Sequence, residues 1–99
     1  MTSVIKSNFP MIVYHDYDWA KSFEFDFTRT FGGAYLFIDA KTGSMFGIEV
    51  YASGTIATIA QISKETTWTL TRNGTVLSGT STANGLITLV KLYKRIKVL

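Results

Sequence analysis

A strict alternation of apolar and polar residues is the feature that most limits what this chain can fold into. Residues 23–28 (FEFDFT) alternate three phenylalanines with Glu24, Asp26 and Thr28. Only an extended strand with one buried face places the phenylalanines on one side and the polar residues on the other. The segment therefore predicts an amphipathic β-strand, in which the ring of Phe25 is buried between two sheets and Glu24 faces solvent.

Further segments of strand character recur along the chain between turns rich in Gly, Asn and Asp. Besides residues 23–27, the strand candidates are residues 11–14, 34–38, 45–51, 56–62, 66–72, 75–77 and 86–99. Seven or eight short strands at this spacing predict an all-β fold, either a small antiparallel, jelly-roll-like β-sandwich or a barrel. We treat residues 1–99 as a single β domain, because a chain of this length can enclose one hydrophobic core.

For three of these segments the sequence gives a more specific prediction. The nearly continuous apolar run of residues 34–38 (AYLFI) predicts a central strand that is covered on both faces. Residues 56–62 fit either a strand or a helical stripe, and we favour the strand. The C-terminal segment, residues 86–99, is open to the same two interpretations, and a strand there would close the sandwich.

The connections between strands contain specific turn signals. Residues 39–43 (DAKTG) predict a hairpin turn that the Asp39 side chain caps and in which Gly43 adopts a left-handed conformation. The dipeptide Asn73-Gly74 predicts a type I′ hairpin turn, because both residues accept positive φ. Residues 81–85 predict a loop.

Composition excludes several kinds of site. The chain has no cysteine, so neither a disulfide nor a thiolate metal site can form. Its longest apolar run is far shorter than the roughly 18 residues of a membrane-spanning helix, and its first residues show no secretory signal peptide. The sequence singles out no catalytic residue. Its Ser and Thr residues are scattered, it has one His, and the Glu24–Asp26 pair lies on one face of a strand. We expect a non-enzymatic protein without metal or cofactor.

Residues 14–19 (YHDYDW) form a candidate ligand-binding segment. The residues concerned are Tyr14, Asp16, Tyr17 and Trp19. Tyr17 and Trp19 can stack on a sugar ring, and Asp16 with Asp18 can bind a hard cation through carboxylate oxygens, although the segment lacks the further oxygen ligands of a Ca²⁺ loop. The alternative is that the aromatic rings fold back onto the edge of a sheet and the carboxylates are merely hydrated.

A second candidate is the basic C-terminal cluster. It consists of Lys91, Lys94, Arg95 and Lys97. Four cations within seven residues can contact phosphate groups, which predicts salt-sensitive binding to nucleic acid or another anionic surface. The alternative is a charged edge strand, since charges on an edge prevent aggregation between sheets.

Three segments in the second half of the chain together form a recognisable sequence pattern. They are residues 51–59 (YASGTIATI), 67–75 (TWTLTRNGT) and 86–94 (LITLVKLYK). In order, they give a short strand with Ile, a Trp-Thr hairpin with Arg-Asn-Gly, and a final strand that ends in basic residues. Over about residues 34–97 this pattern resembles the terminal β-sandwich segments of bacteriophage and other viral tail, fibre and surface proteins.

The resemblance implies a virion-associated or receptor-facing role in a homo-oligomer, and it implies no catalytic residues. The expected function is that of a non-enzymatic viral or phage structural or receptor-binding domain. Its expected location is the virion or the host cytoplasm, and its expected partners are further copies of itself and a host-surface glycan or receptor. Two alternatives stay open, namely a lectin-like carbohydrate-binding module and a small viral protein that binds nucleic acid through its basic C-terminus.

Overall fold

The alternating segments of the sequence pair into antiparallel sheets in the computed structural model, which describes residues 11–15, 20–30 and 32–92. The described residues form eight strands: β1 Met11–His15, β2 Ala20–Asp26, β3 Gly33–Asp39, β4 Ser44–Val50, β5 Ile56–Gln61, β6 Trp68–Asn73, β7 Val76–Gly85 and β8 Ile87–Leu92. The predicted all-β fold is confirmed. As far as Leu92, the C-terminal segment is a strand and not a helix.

These strands form two sheets. A large sheet has the order β1-β8-β3-β4-β5, and a small sheet has the order β2-β7-β6. β1 pairs with β8 and β2 pairs with β7, so strands from the two ends of the chain pair with each other, as in a jelly roll. Because the described strands make two separate sheets, each with its own edges, the fold is a sandwich and not a closed barrel.

Aromatic rings from both sheets meet in the interior. β3 is the middle strand of the large sheet, and every second residue of it faces inward, which buries Tyr35 and Phe37. The ring of Phe27 lies edge-on to Tyr35 at 4.7 Å between centroids, and the ring of Trp68 lies edge-on to Phe37 at 5.3 Å. Such edge-to-face contacts stabilise the core beyond the burial of apolar area. The other buried apolar residues are Phe23, Phe46, Ile48, Val50, Ile56, Leu77, Ile87 and Leu89.

Phe25 is less buried than the sequence pattern predicts. Its neighbours Phe23 and Phe27 are 7% and 0% exposed, whereas Phe25 is only partly buried. β2 is an edge strand of the small sheet, and the Phe25 ring packs on Tyr14 of β1, an edge strand of the large sheet. The prediction of a fully buried Phe25 is wrong because two edge strands do not enclose a ring on every side. Glu24 is exposed, as predicted.

Residues 81–85 are part of a strand and not the predicted loop. β7 continues through Gly85 because it has a partner on each side. Ser81 pairs with the first residue of β6, and Gly85 pairs with Ala20 of β2. The hydroxyl-rich composition that predicts a loop instead belongs to a strand with an exposed face.

The turn between β6 and β7 lies one residue later than predicted. Asn73 pairs with Val76, so the two turn residues are Gly74 and Thr75. Gly74 has a φ of 61° at the first of these positions, and a positive φ there is what both primed types of two-residue hairpin turn require. The hairpin itself is confirmed.

Substituting Phe27→Ala is expected to lower the free energy of unfolding by about 3–5 kcal/mol, because a fully buried ring leaves a cavity. Phe25→Ala is expected to cost roughly half as much, because that ring is already partly hydrated. The control is Glu24→Ala, for which we expect a change below about 0.5 kcal/mol. Urea denaturation followed by circular dichroism measures all three. Equal losses for the two phenylalanines would contradict the packing described here.

Candidate interaction surface

Tyr14, the first residue of the predicted ligand-binding segment, packs against the core. The half-buried ring of Tyr14 lies 5.7 Å from the ring of Phe23 and 6.2 Å from that of Phe25. For Tyr14, therefore, the structure agrees with the alternative in which the aromatic ring packs on the sheets. The other three residues of that prediction lie outside the described part of the chain: Asp16, Tyr17 and Trp19.

Lys91 covers one end of the core. Its Nζ donates a hydrogen bond to the carbonyl of Thr30 at 2.7 Å and lies 5.8 Å from the centroid of the Tyr35 ring. β8 lies between β1 and β3, so its charge does not protect an exposed sheet edge, and that explanation of the basic cluster is wrong for this strand. The remaining cations of the cluster lie outside the described residues: Lys94, Arg95 and Lys97.

The carboxylates of β2 lie on its exposed face. Asp26 accepts hydrogen bonds from the hydroxyl and the backbone N–H of Thr28, which lower the pKa of its carboxyl. Glu24 is exposed two residues earlier. Among residues 11–15, 20–30 and 32–92, no group of three or more His, Asp or Glu side chains is placed to hold a metal ion.

Asp39 is a fully buried carboxylate at the end of β3. Its Oδ1 accepts hydrogen bonds from the backbone N–H groups of Lys41 and Leu86, both at 2.9 Å. Its Oδ2 accepts hydrogen bonds from the Thr42 hydroxyl at 2.6 Å and from the Trp68 indole at 2.8 Å. The predicted turn cap is confirmed, but the side chain also binds the small sheet through Trp68 and the start of β8 through Leu86.

Two further features show that the Asp39 carboxylate is tightly packed and well hydrogen-bonded. Burial raises the pKa of the Asp39 carboxyl, but the hydrogen bonds from Thr42, Trp68, Leu86 and Lys41 outweigh burial, and the pKa lies below its usual value. A Cβ on Gly85 would lie only 2.8 Å from the Asp39 Cγ, so only glycine fits beside the carboxylate. Since both oxygens are sealed and occupied, we assign Asp39 a structural role.

The outer face of the large sheet is apolar. Opposite the buried positions, β3 presents Leu36 and Ile38, and β8 presents Val90 and Leu92, all of them only partly buried. Together with their neighbours on β4 and β5, these residues form a surface that we call the outer apolar face: Ala34, Leu36, Ile38, Met45, Ala60, Ile62, Val90 and Leu92. The predicted central position of residues 34–38 is confirmed, and the second face of the strand is partly buried in the single chain.

A groove of about 300 Å³ crosses the outer apolar face. Its central position is Gly47, which lies between Leu36 of β3 and Ala60 of β5. Because Gly47 has no side chain, the surface is recessed there. The Ile62 side chain, 56% exposed, extends over the recess, and a Cβ at position 47 would lie 3.4 Å from its Cδ1.

One end of the groove is polar. Glu49 lies in the same row as Ala34 and Thr58, and a further space of about 310 Å³ begins there. Tyr51, 61% exposed, also lines this space. The Glu49 carboxylate is exposed and makes no hydrogen bond or ion pair with the residues that the structure describes.

The outer face of the small sheet has the opposite character. Thr69 and Thr71 of β6 pair with Thr80 and Ser78 of β7, so these four residues place neighbouring hydroxyl groups on this face. Three of these four side chains are exposed, and Ser78 is partly buried. Hydroxyl groups hydrogen-bond readily to water, so this face is stable when hydrated.

The sequence patterns do not single out Glu49 and Tyr51. Glu49 occupies the polar position of an alternating strand, which by itself predicts hydration. The signal for this surface is the run of residues 34–38, where Leu36 and Ile38 are apolar on the face opposite to Tyr35. A glycine at position 47 in the middle of the neighbouring strand is a second signal, because glycine there often marks a close approach.

Comparison of the chain with protein-family models, with curated proteins and with solved structures gives no match. Within the described ranges, no helix combines the length and the hydropathy that crossing a membrane requires. The outer apolar face, with its groove and its single carboxylate, is therefore the surface from which a function can be inferred.

Substituting Asp39→Asn is expected to lower the free energy of unfolding at pH 7 by about 3 kcal/mol, because an amide NH₂ would face N–H donors that lose their acceptor. The folded-state pKa lies below the unfolded value of about 3.9, so the contribution of Asp39 is complete above that pH and is lost as the pH falls through the folded-state pKa. Urea denaturation at pH 7, 5, 4 and 3 measures both effects.

The matched control for this experiment is Asp26→Asn, which removes an exposed carboxylate that also accepts hydrogen bonds. We expect it to change stability much less than Asp39→Asn. An Asp39→Asn variant with the stability of the parent at pH 7 would show that the carboxylate does not join the sheets.

Proposed function

We propose that this protein is a non-catalytic viral or phage structural domain that assembles by self-association through the outer apolar face of its large sheet. The observation that carries the proposal is the row of partly buried apolar side chains on the outer face of the central strand β3 and its neighbours, with the exposed Ile62 beside them. Contiguous apolar surface of this kind on a single domain marks an interaction site. The partner that we assign to it is a second copy of the chain.

The size of the face is consistent with a second copy as partner. The four strands that carry the outer apolar face, spaced by about 4.8 Å and with six or seven residues rising about 3.3 Å each, give a face of roughly 19 Å by 20 Å. Two such faces contribute roughly 800 Å² before the relief of the side chains is added, whereas the lower range of specific interfaces is about 1,200 Å². Sheets also pack face to face readily, at about 10 Å and with nearly aligned strands.

The resemblance of residues 34–97 to viral tail, fibre and surface proteins supports a virion as the setting, with a receptor-facing role as a further possibility of the same kind. The carbohydrate alternative has less support, since the Tyr14 ring packs on Phe23 and Phe25. The nucleic-acid alternative likewise has less support, since Lys91 donates its hydrogen bond within the protein. The remaining residues of both predicted sites lie outside the described part of the chain.

Substituting Leu36→Lys is expected to abolish self-association, because it places a charge at the centre of the outer apolar face. The parent protein should sediment as a dimer at micromolar concentration, and the variant as a monomer with a dissociation constant raised at least about a hundredfold. Ala60→Lys, which removes almost no buried apolar area, is a second variant with the same expectation. Analytical ultracentrifugation measures the dissociation constant of the parent protein and of both variants.

The matched control is Thr71→Lys, which introduces the same charge on the outer face of the small sheet. This variant should dimerise like the parent, and circular dichroism should show a folded protein in each case. A parent protein that remains monomeric at high micromolar concentration would refute the proposal.

A further inference from the structure

Glu49 is a charged residue that self-association through an apolar face leaves unexplained. Its carboxylate is exposed beside the space of about 310 Å³ at the polar end of the groove. Within the described residues this carboxylate has no hydrogen-bond or ion-pair partner. We call this space, which Glu49, Tyr51 and Thr58 help to line, the Glu49 pocket.

The pocket results from small neighbouring residues and from an irregularity in the pairing of β4 with β5. Glu49 pairs with Ala34 on one side and with Thr58 on the other, and neither of these small side chains covers the carboxylate. The register of β5 shifts next to Thr58, and the extra residue, Ala57, forms a β-bulge that lines the pocket. Bulges are frequent beside functional sites, because they locally open the pairing and redirect side chains.

The pocket offers two hydrogen-bond acceptors and an aromatic ring. Thr58 lies directly across from Glu49, and residues paired in this way have Cβ atoms about 5 Å apart. The carboxylate and the hydroxyl oxygen can therefore accept hydrogen bonds from one group that carries several donors. Tyr51, which is 61% exposed, adds a phenol ring whose face attracts a cation.

The charge of the pocket is negative. Among the described residues that line it, Glu49 is the one that is charged at neutral pH. Lys91 approaches from the side of the core, where a Cβ on Gly33 would lie 3.5 Å from its Cε. Its ammonium group donates a hydrogen bond to the carbonyl of Thr30 and makes no ion pair with Glu49. An unpaired carboxylate in a recess favours a cationic ligand.

We propose that the Glu49 pocket binds a primary alkylammonium ion. The ammonium group of this ligand donates hydrogen bonds to Glu49 and Thr58 beside the ring of Tyr51, and its alkyl chain lies against Ala34 and Ala57. The volume of the pocket is at the lower end of the range for ligand sites, about 300–1,000 Å³, so the ligand is small. The inference goes beyond self-association and does not rest on it, because the lining residues belong to one chain.

A titration with n-butylamine, which is protonated at pH 7, tests the proposal. In the ¹⁵N-labelled parent protein we expect saturable shifts of the amide signals of Gly33, Ala34, Ala57 and Thr58. The expected dissociation constant is about 1–10 mM, because the ligand has few heavy atoms. Butanol and butyrate have the same chain but a neutral or a negative end, and neither should shift these signals saturably. Equal binding of butanol would overturn the proposal, as would the absence of saturable shifts with butylamine.

Three substitutions test the roles of the individual residues in the same titration. Glu49→Gln should raise the dissociation constant of butylamine at least about tenfold, because a hydrogen bond to a charged group is lost. Thr58→Val and Tyr51→Ala should each raise it about twofold to fivefold, since each removes one weaker contact. The control is Glu24→Gln, which removes an exposed carboxylate on β2 and should change nothing. An unchanged dissociation constant in Glu49→Gln would refute the proposed binding mode.

Two further ligands define the chemistry that the pocket recognises. Butyltrimethylammonium carries the charge but no N–H donor, so it should bind at least about fivefold more weakly than butylamine. Tighter binding of this ion would overturn the assignment to a primary ammonium group.

Primary ammonium groups occur both in free amines and in lysine side chains. Nα-acetyl-lysine N-methylamide separates these two sources of the ligand. If it binds more tightly than butylamine, the pocket recognises a lysine of a partner protein. If it binds equally or more weakly, the ligand is a free amine.

Discussion

A single buried carboxylate, Asp39, joins the two sheets of this sandwich. The chain has no disulfide to do so, and Asp39 binds the indole of Trp68 in the small sheet, the N–H of Leu86 at the start of β8, and its own turn. A buried carboxylate is stable only when its oxygens are occupied, so all donors must be in place together. Packings of the same apolar residues that bury Asp39 without these donors would leave the charge unpaired, and the cost of an unpaired buried charge disfavours them.

The position of Asp39 also decides which apolar residues stay on the outside. Side chains alternate along β3, so burying Asp39 buries Tyr35 and Phe37 with it and turns Leu36 and Ile38 outward. A slip of one residue would exchange the two sets and expose the carboxylate. The polar network in the interior therefore fixes the composition of the outer apolar face, and it connects the stability of the fold to the surface that we propose for assembly.

Local sequence patterns predict the strands better than they predict the sandwich. The alternation in β2 and the turn after Asp39 depend on neighbouring residues, so both are predictable. The partial exposure of Phe25 and the length of β7 depend on which strands lie at an edge, and pairings such as β1 with β8 join distant parts of the chain. Glu49 is missed for the same reason, because a hydrated strand position and a carboxylate beside a groove have identical local sequences.

The contrast between the two outer faces would limit how far the proposed assembly can proceed. The hydroxyl groups of Thr69 and Thr71 keep the small sheet hydrated, and the Arg72 guanidinium binds the carbonyls of Ile56 and Ala57 where β6 approaches β5. In the proposed assembly, one apolar face per copy that pairs about a two-fold axis would be fully used in a dimer, so the association would close and not extend into a fibre. A larger particle would need a second kind of contact, and among the described surfaces the hydroxyl face of the small sheet is the one that stays free to provide it.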